Sequence, residues 1–192
     1  TIHVGKGLCC PDVVRRVVEG GPSAVEELLT LGAEFDRTPS GSLDCSREGG
    51  HNHPRVVHAH GDATGREMQR VLTNALTGHD LITTFPHTFA LDIVTADQEA
   101  YGVVAQANSG NFVLFSSPNI ILATGGGGQL YRETTNPTIA TADGVAMAFR
   151  AGATIRDPEF FQFHPTCLYI AGAARVLISE IVRGHGGILR DK

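Results

Sequence analysis

Apolar residues recur at helical spacing in several parts of this chain and fall into short strand-like runs in others. Pro11 suits a first helical position, and Val13, Val14, Val17 and Val18 then share one face. A second short helix is predicted from Pro22 to Leu31, with Val25, Leu28 and Leu29 toward a core and Gly32 as its stop. Residues 64–77 predict another helix: Thr64 can cap it, Met68, Val71, Leu72 and Ala75 repeat at helical spacing, and Gly78 ends it. "TADGVAMAFRAGA" predicts a further one, with Asp143 near its start. Between these, "LGAEFDRTPSGSLDCS" reads as a hairpin turning at Pro39–Gly41, and "RVVHA" as a short strand. "LITTF", "TFALDIV", "YGVVAQA" and "FVLFSS" have strand length, and the turn signal Asn108–Asn111 makes the last two neighbours in an antiparallel meander. "NIILATGG" reads as a fully apolar strand ending in small residues. In "FFQFHPT" a period of two puts Gln162 and His164 on one face of a strand and Phe161 and Phe163 on the other. Mixed helices and strands of this kind predict an α/β (α+β) protein.

Composition narrows the possible partners. The 192 residues can bury one sizeable core, or one domain with a smaller appendage. A net charge of −5 argues against nucleic acid or an anionic membrane, which both need a basic face. No apolar run approaches the roughly 20 residues of a membrane span, and no basic-then-apolar leader opens the sequence. Cys9, Cys10, Cys45 and Cys167 form no CxxC pair, so reduced thiols in a cytoplasmic protein are favoured over disulfides or zinc. Many of the 23 glycines are clustered, which points to cofactor loops or tight turns.

Five stretches carry candidate chemistry. "IILATGGGGQLY" runs a strand into Thr124, Gly125 and Gly126, where backbone amides can approach a ligand, although a glycine run is also an ordinary loop. Asp143 can accept hydrogen bonds from a ribose or simply complement a helix N-terminus. Gln162 and His164 can both donate to a carboxylate, although a core histidine satisfied by backbone fits His164 alone as well. In "REGGHNHP", Glu48 lies in a glycine loop that suits an ammonium; the His51/His53 and His58/His60 pairs lack the companion spacing of a zinc site. "LISEIVRGHGG" crowds Ser179, Glu180 and Arg183 before a glycine stop, a pattern that a surface helix also produces.

The motifs "REGGH", "DATGRE", "ILATGG", "TTNP", "DGVAMAFRAGA", "FQFHPT" and "SEIVRG" follow one another in a single order. In this the chain resembles the L-aspartate oxidases, within the family of succinate dehydrogenase and fumarate reductase flavoproteins, over nearly its whole length. The resemblance implies part of an FAD-binding Rossmann-like domain over residues 1–124 and the start of the small capping domain over 125–192. It implies FAD as cofactor, with Phe89 and Ala90 meeting the adenosine part and Thr124, Gly125, Gly126 and Asp143 also beside it. It implies a dicarboxylate pocket formed by Glu48, Gln162, His164, Thr166, Ser179 and Glu180, with Glu48 toward the substrate ammonium and Gln162 and His164 toward a carboxylate.

The activity implied is oxidation of L-aspartate to iminoaspartate, with oxygen or fumarate as acceptor. This is the first step of NAD biosynthesis, with quinolinate synthase as the next enzyme. The family's opening GxGxxG and its catalytic arginine have no counterpart in this sequence. No catalytic residue is therefore assigned within it, and these 192 residues alone are expected to bind FAD weakly or not at all and to be inactive. His185 stands where the family usually has glutamate, and "HAHGDATG" is one residue longer than the common form. Two alternatives remain at this point. One is a fumarate reductase or succinate dehydrogenase flavoprotein subunit, in which the glutamate of "REGGH" would be missing. The other is a noncatalytic module that binds a dicarboxylate through Gln162 and His164.

Overall fold

A computed structural model describes residues 1–172 and 175–191. The chain forms two compact units: Thr1–Thr83 together with the segment from Ser179 onward, and Thr84–Ile178.

In the first unit, helix α1 runs unbroken over Pro11–Thr30 with Pro22 inside it, where two helices are expected from sequence. A proline in a helix deprives the carbonyl four residues back of its donor. That residue is Val18, which is exposed, so water can serve the carbonyl. The helix ends as expected. Gly32 adopts φ +93°, with hydrogen bonds from Gly32 N–H to Leu29 O (3.0 Å) and from Ala33 N–H to Leu28 O (2.9 Å). This is a Schellman motif, which requires a residue at positive φ. Val25, Leu28 and Leu29 pack against a core of Ala33, Phe35, Ala59 and Val71.

The expected hairpin at Pro39–Gly41 is reduced to one bridge, Arg37 with Leu43, closed by Gly41 at φ +88°. Thr38 N–H donates to Ser42 O and Asp44 N–H to Asp36 O, each at 2.9 Å, and beyond these the chain pairs elsewhere. Asp36 N–H donates to His58 O (2.9 Å), and β1 (Cys45–Ser46) pairs antiparallel with β2 (Val56–Val57). Helix α2 covers Thr64–Leu76, but Thr64 does not cap it; its hydroxyl accepts from Ala59 N–H at 3.2 Å. After the chain's excursion through the second unit, the short helix α4 (Ile181–Gly184) returns to this one.

The second unit holds the expected antiparallel meander of β3 (Phe89–Ala96), β4 (Glu99–Gln106) and β5 (Phe112–Ser116), with Gly110 at φ +85° in the 107–111 turn. Gly102 faces Phe115 O so closely that no side chain would fit. A register shift between Ala90 and Asp92 frees the Leu91 carbonyl from the ladder. Arg150, at the end of helix α3 (Asp143–Arg150), uses it: Nη2 donates to Leu91 O and Nε to Asp92, each at 2.9 Å. Strands β6 (Cys167–Leu168) and β7 (Val176–Leu177) form a short hairpin.

Three expected strands are absent. "LITTF", "NIILATGG" (119–126) and "FFQFHPT" are extended or irregular, without ladder partners among the described residues. An apolar run becomes a strand only when a neighbour takes its backbone hydrogen bonds. Ile121 accordingly remains almost fully exposed, and Pro165 has no N–H to contribute after His164.

Candidate functional site

In the first unit, "REGGH" and "SEIVRG" meet although they lie about 130 residues apart. Residues 48–51 make a tight turn, with His51 N–H donating to Glu48 O (3.0 Å) and Gly50 at φ +83°. Helix α4 rests against it through two glycines. A Cβ on Gly49 would come within 2.6 Å of Glu180 Oε2, and one on Gly184 would land on the Arg47 carbonyl. Arg47 Nη2 donates to Gly184 O at 3.2 Å. Glu180 is ion-paired with Arg183, and Ser179 Oγ accepts from Ile181 N–H at 3.3 Å. Glu48 is half-buried, and its Oε2 has no hydrogen-bond partner among the described residues; His51 Nδ1 is in the same position. Burying a carboxylate oxygen unpaired is unfavourable unless a donor arrives from outside.

The second unit places Gln162 and His164 on the wall of a cavity of about 200 Å³, which Phe161, Phe163, Tyr131 and Arg175 also line. Phe161 and Phe163 do not turn away from it. Both rings stand edge-on to Tyr131, at 5.0 and 5.1 Å between centroids. His164 is fixed by its own chain: Nδ1 lies 2.7 Å from Thr166 O and 3.2 Å from Thr166 N. A proton on Nδ1 serves the first contact and a lone pair the second, and the shorter distance favours the proton there. Thr166 is buried, and its hydroxyl donates to Ile178 O at 3.2 Å, which ties the segment to the end of β7.

Of the residues assigned to the cofactor, Thr124, Gly126 and Asp143 lie together at the start of α3. Ala142 N–H donates to Gly126 O (3.2 Å), and Asp143 accepts from the Thr141 hydroxyl. The surrounding glycines divide into two kinds. A side chain on Gly144 would strike Thr124 Oγ1, one on Gly128 would strike Asn136, and one on Gly127 would reach Ala142 Cβ at 2.8 Å. These three are needed for the chain's own packing. Around Gly125 and Gly126 nothing lies within 4 Å; Gly125 takes φ +71°, which favours glycine, whereas no described neighbour requires Gly126 to be small. Open backbone of this kind, at the N-terminal end of a helix, fits a phosphate-bearing ligand such as FAD. Phe89 and Ala90 lie beside Leu91, at the other end of α3, which is about 12 Å long.

Tyr131, Glu133 and Arg175 are cavity residues that the sequence patterns did not single out. An aromatic three residues after a glycine run was the available signal. His58, raised above as half of an HxH pair, is engaged with Asp36, Nδ1 to Oδ2 at 2.8 Å.

Comparison with known proteins shows the family to which the chain belongs. A family model described as "FAD binding domain" matches residues 1–192. The chain is 45% identical to a chloroplastic L-aspartate oxidase of Nicotiana tabacum, over 98% of this chain and 31% of the relative. It is 43% identical to an L-aspartate oxidase of Streptomyces coelicolor, over 100% of this chain and 34% of the relative. It thus spans about a third of the length of the curated relatives it matches. Among solved structures, a quinol-fumarate reductase with menaquinol superposes with a TM-score of 0.90 at 36% identity, over 98% of this chain and 32% of the other. An E. coli quinol fumarate reductase gives 0.88 at 36% identity, over 96% of this chain and 31% of the other.

Proposed function

Because the chain belongs to the FAD-binding domain family, we propose that it serves an L-aspartate oxidase that converts L-aspartate to iminoaspartate. The observation that carries this reading is Glu48. Its half-buried carboxylate has an oxygen without a partner among the described residues, held in a glycine turn where a substrate ammonium can supply the missing donors. A fumarate or succinate enzyme has no ammonium to place there. Gln162 and His164 are the groups for a substrate carboxylate, with the histidine ring oriented by Thr166. Thr166, Ser179 and Glu180 support these contacts through the hydrogen bonds and ion pair given above.

FAD, when bound, accepts the hydride from the substrate Cα. Asp143, the open backbone at Thr124, Gly125 and Gly126, and the Phe89–Ala90 strand start are the residues that would hold it. The residues of this chain otherwise orient substrate, and orientation can supply several kcal/mol of the barrier, on the order of 7 or more in the best cases. Either oxygen or fumarate would serve as terminal acceptor. The product would pass to quinolinate synthase as the first step toward NAD. Four free cysteines suit a cytoplasmic protein. No helix among the described residues is long and apolar enough to cross a membrane.

The test is Glu48→Gln in the holoenzyme. Turnover of L-aspartate is expected to fall at least tenfold more than reduction of fumarate, the scale of one lost charge-assisted hydrogen bond. Equal losses on both substrates would remove Glu48 from the ammonium role.

A further inference from the structure

The cavity beside Gln162 and His164 contains a cation that the reading above does not use. Arg175 lines this cavity of about 200 Å³ and also a second, polar cavity of about 480 Å³ bounded by Gln129, Thr138 and Tyr169. Glu133 lines both as well, and the ion pair between them stands as the partition. Arg175 is mostly covered, at 19% exposure, whereas Glu133 is half exposed, at 52%. Its guanidinium lies 4.0 Å over the Tyr169 ring, which fixes its position by a cation–π contact. Of its five N–H donors, the described hydrogen bonds use Nη2 alone, toward Glu133. Glu133 is also hydrogen-bonded by Arg132 Nε at 3.1 Å, so it keeps a cationic partner if Arg175 lets go. Arg175 holds the Glu133 carboxyl below its ordinary range.

A carboxylate entering this cavity meets a pair of charges that already cancel. It can gain the cation only by displacing Glu133 from it. We infer that Arg175 is a specificity-determining residue for a carboxylate ligand of this cavity, and that Glu133 is the internal carboxylate that the ligand displaces. This rests on the dicarboxylate reading of the site and adds to it a residue and an exchange of ion-pair partners. Arginine suits the task because its planar fork can turn from one carboxylate to another while it stays stacked on an aromatic ring.

The exchange predicts effects of opposite sign. In the holoenzyme, with succinate as probe and calorimetric titration as readout, Arg175→Gln is expected to weaken binding about 10- to 100-fold. Glu133→Gln removes the competitor and is expected to tighten succinate about threefold to fivefold. Arg175→Lys keeps the charge without the fork and should fall between wild type and Arg175→Gln. If the pair only braces the wall, Glu133→Gln will weaken succinate, or leave it unchanged, while lowering Tm; either result overturns the inference. Failure of the wild-type holoenzyme to bind succinate and to oxidise L-aspartate would overturn the dicarboxylate reading itself, and the exchange with it.

Discussion

Two acidic regions of the first unit were built to opposite specifications. Around α2, Glu67 is 3% exposed, and both its oxygens are bonded: Oε1 accepts from Glu34 N–H at 2.7 Å and Oε2 from Arg70 Nε at 2.8 Å. Arg70 reaches on to Gly32 O at 2.9 Å, so this acid ties the end of α1 to α2. Nearby, Asp36 accepts from His58 Nδ1 and from the amides of His60 and Gly61 at 2.8 to 3.0 Å. In the 47–51 turn, Glu48 is half-buried with Oε2 unpartnered among the described residues. A satisfied buried carboxylate holds a fold together; one left unsatisfied in a glycine turn is poised for something that arrives.

The largest effect expected from this contrast is on stability. Glu67→Ala strands the Glu34 amide and the Arg70 guanidinium at once, and should lower Tm by several degrees in thermal unfolding. A Tm equal to wild type would mean that this network does not brace the helices. The acid limb comes next. Hydrogen bonds from Arg70 and the Glu34 amide bring Glu67 down from 4.5 to about 2. Those from Gly61, His58 and His60 bring Asp36 down from 3.8 to about 2. A depressed carboxyl contributes stability that is complete above its unfolded value and is lost as pH falls through its folded one. Stability should therefore decline between about pH 4.5 and 2, and a Glu67→Gln, Asp36→Asn double variant should show a flatter decline there.

A glycine pair sharpens the same distinction. Gly144→Ala should destabilise the second unit, because its Cβ would strike Thr124. Gly126→Ala, with open space around it, should leave Tm unchanged while weakening FAD retention, as measured by flavin release. Glu48→Gln should likewise have little effect on stability. It should leave Tm within about a degree of wild type, since no bond to Oε2 is lost. A large drop would move Glu48 into the structural class.

The helices and the meander were legible in the sequence because each is specified locally. Pro11, Gly32 and Gly78 mark helix ends, and strand-length apolar runs on either side of the Asn108–Asn111 turn mark the meander. Pro22 misled, because a helix tolerates a proline when the orphaned carbonyl faces water. The 119–126 and 160–166 runs misled because strand identity belongs to a pair of segments, and neither has a ladder partner among the described residues. Sequence order alone carried the family resemblance and the candidate residues. The tertiary structure decided that Glu67 and Asp36 are saturated while Glu48 is not, and that Arg175 and Glu133 divide two cavities. Residue type fixes what a side chain can donate or accept, but whether that capacity is already used depends on neighbours tens of residues away in the chain, and only folding brings them within hydrogen-bonding distance.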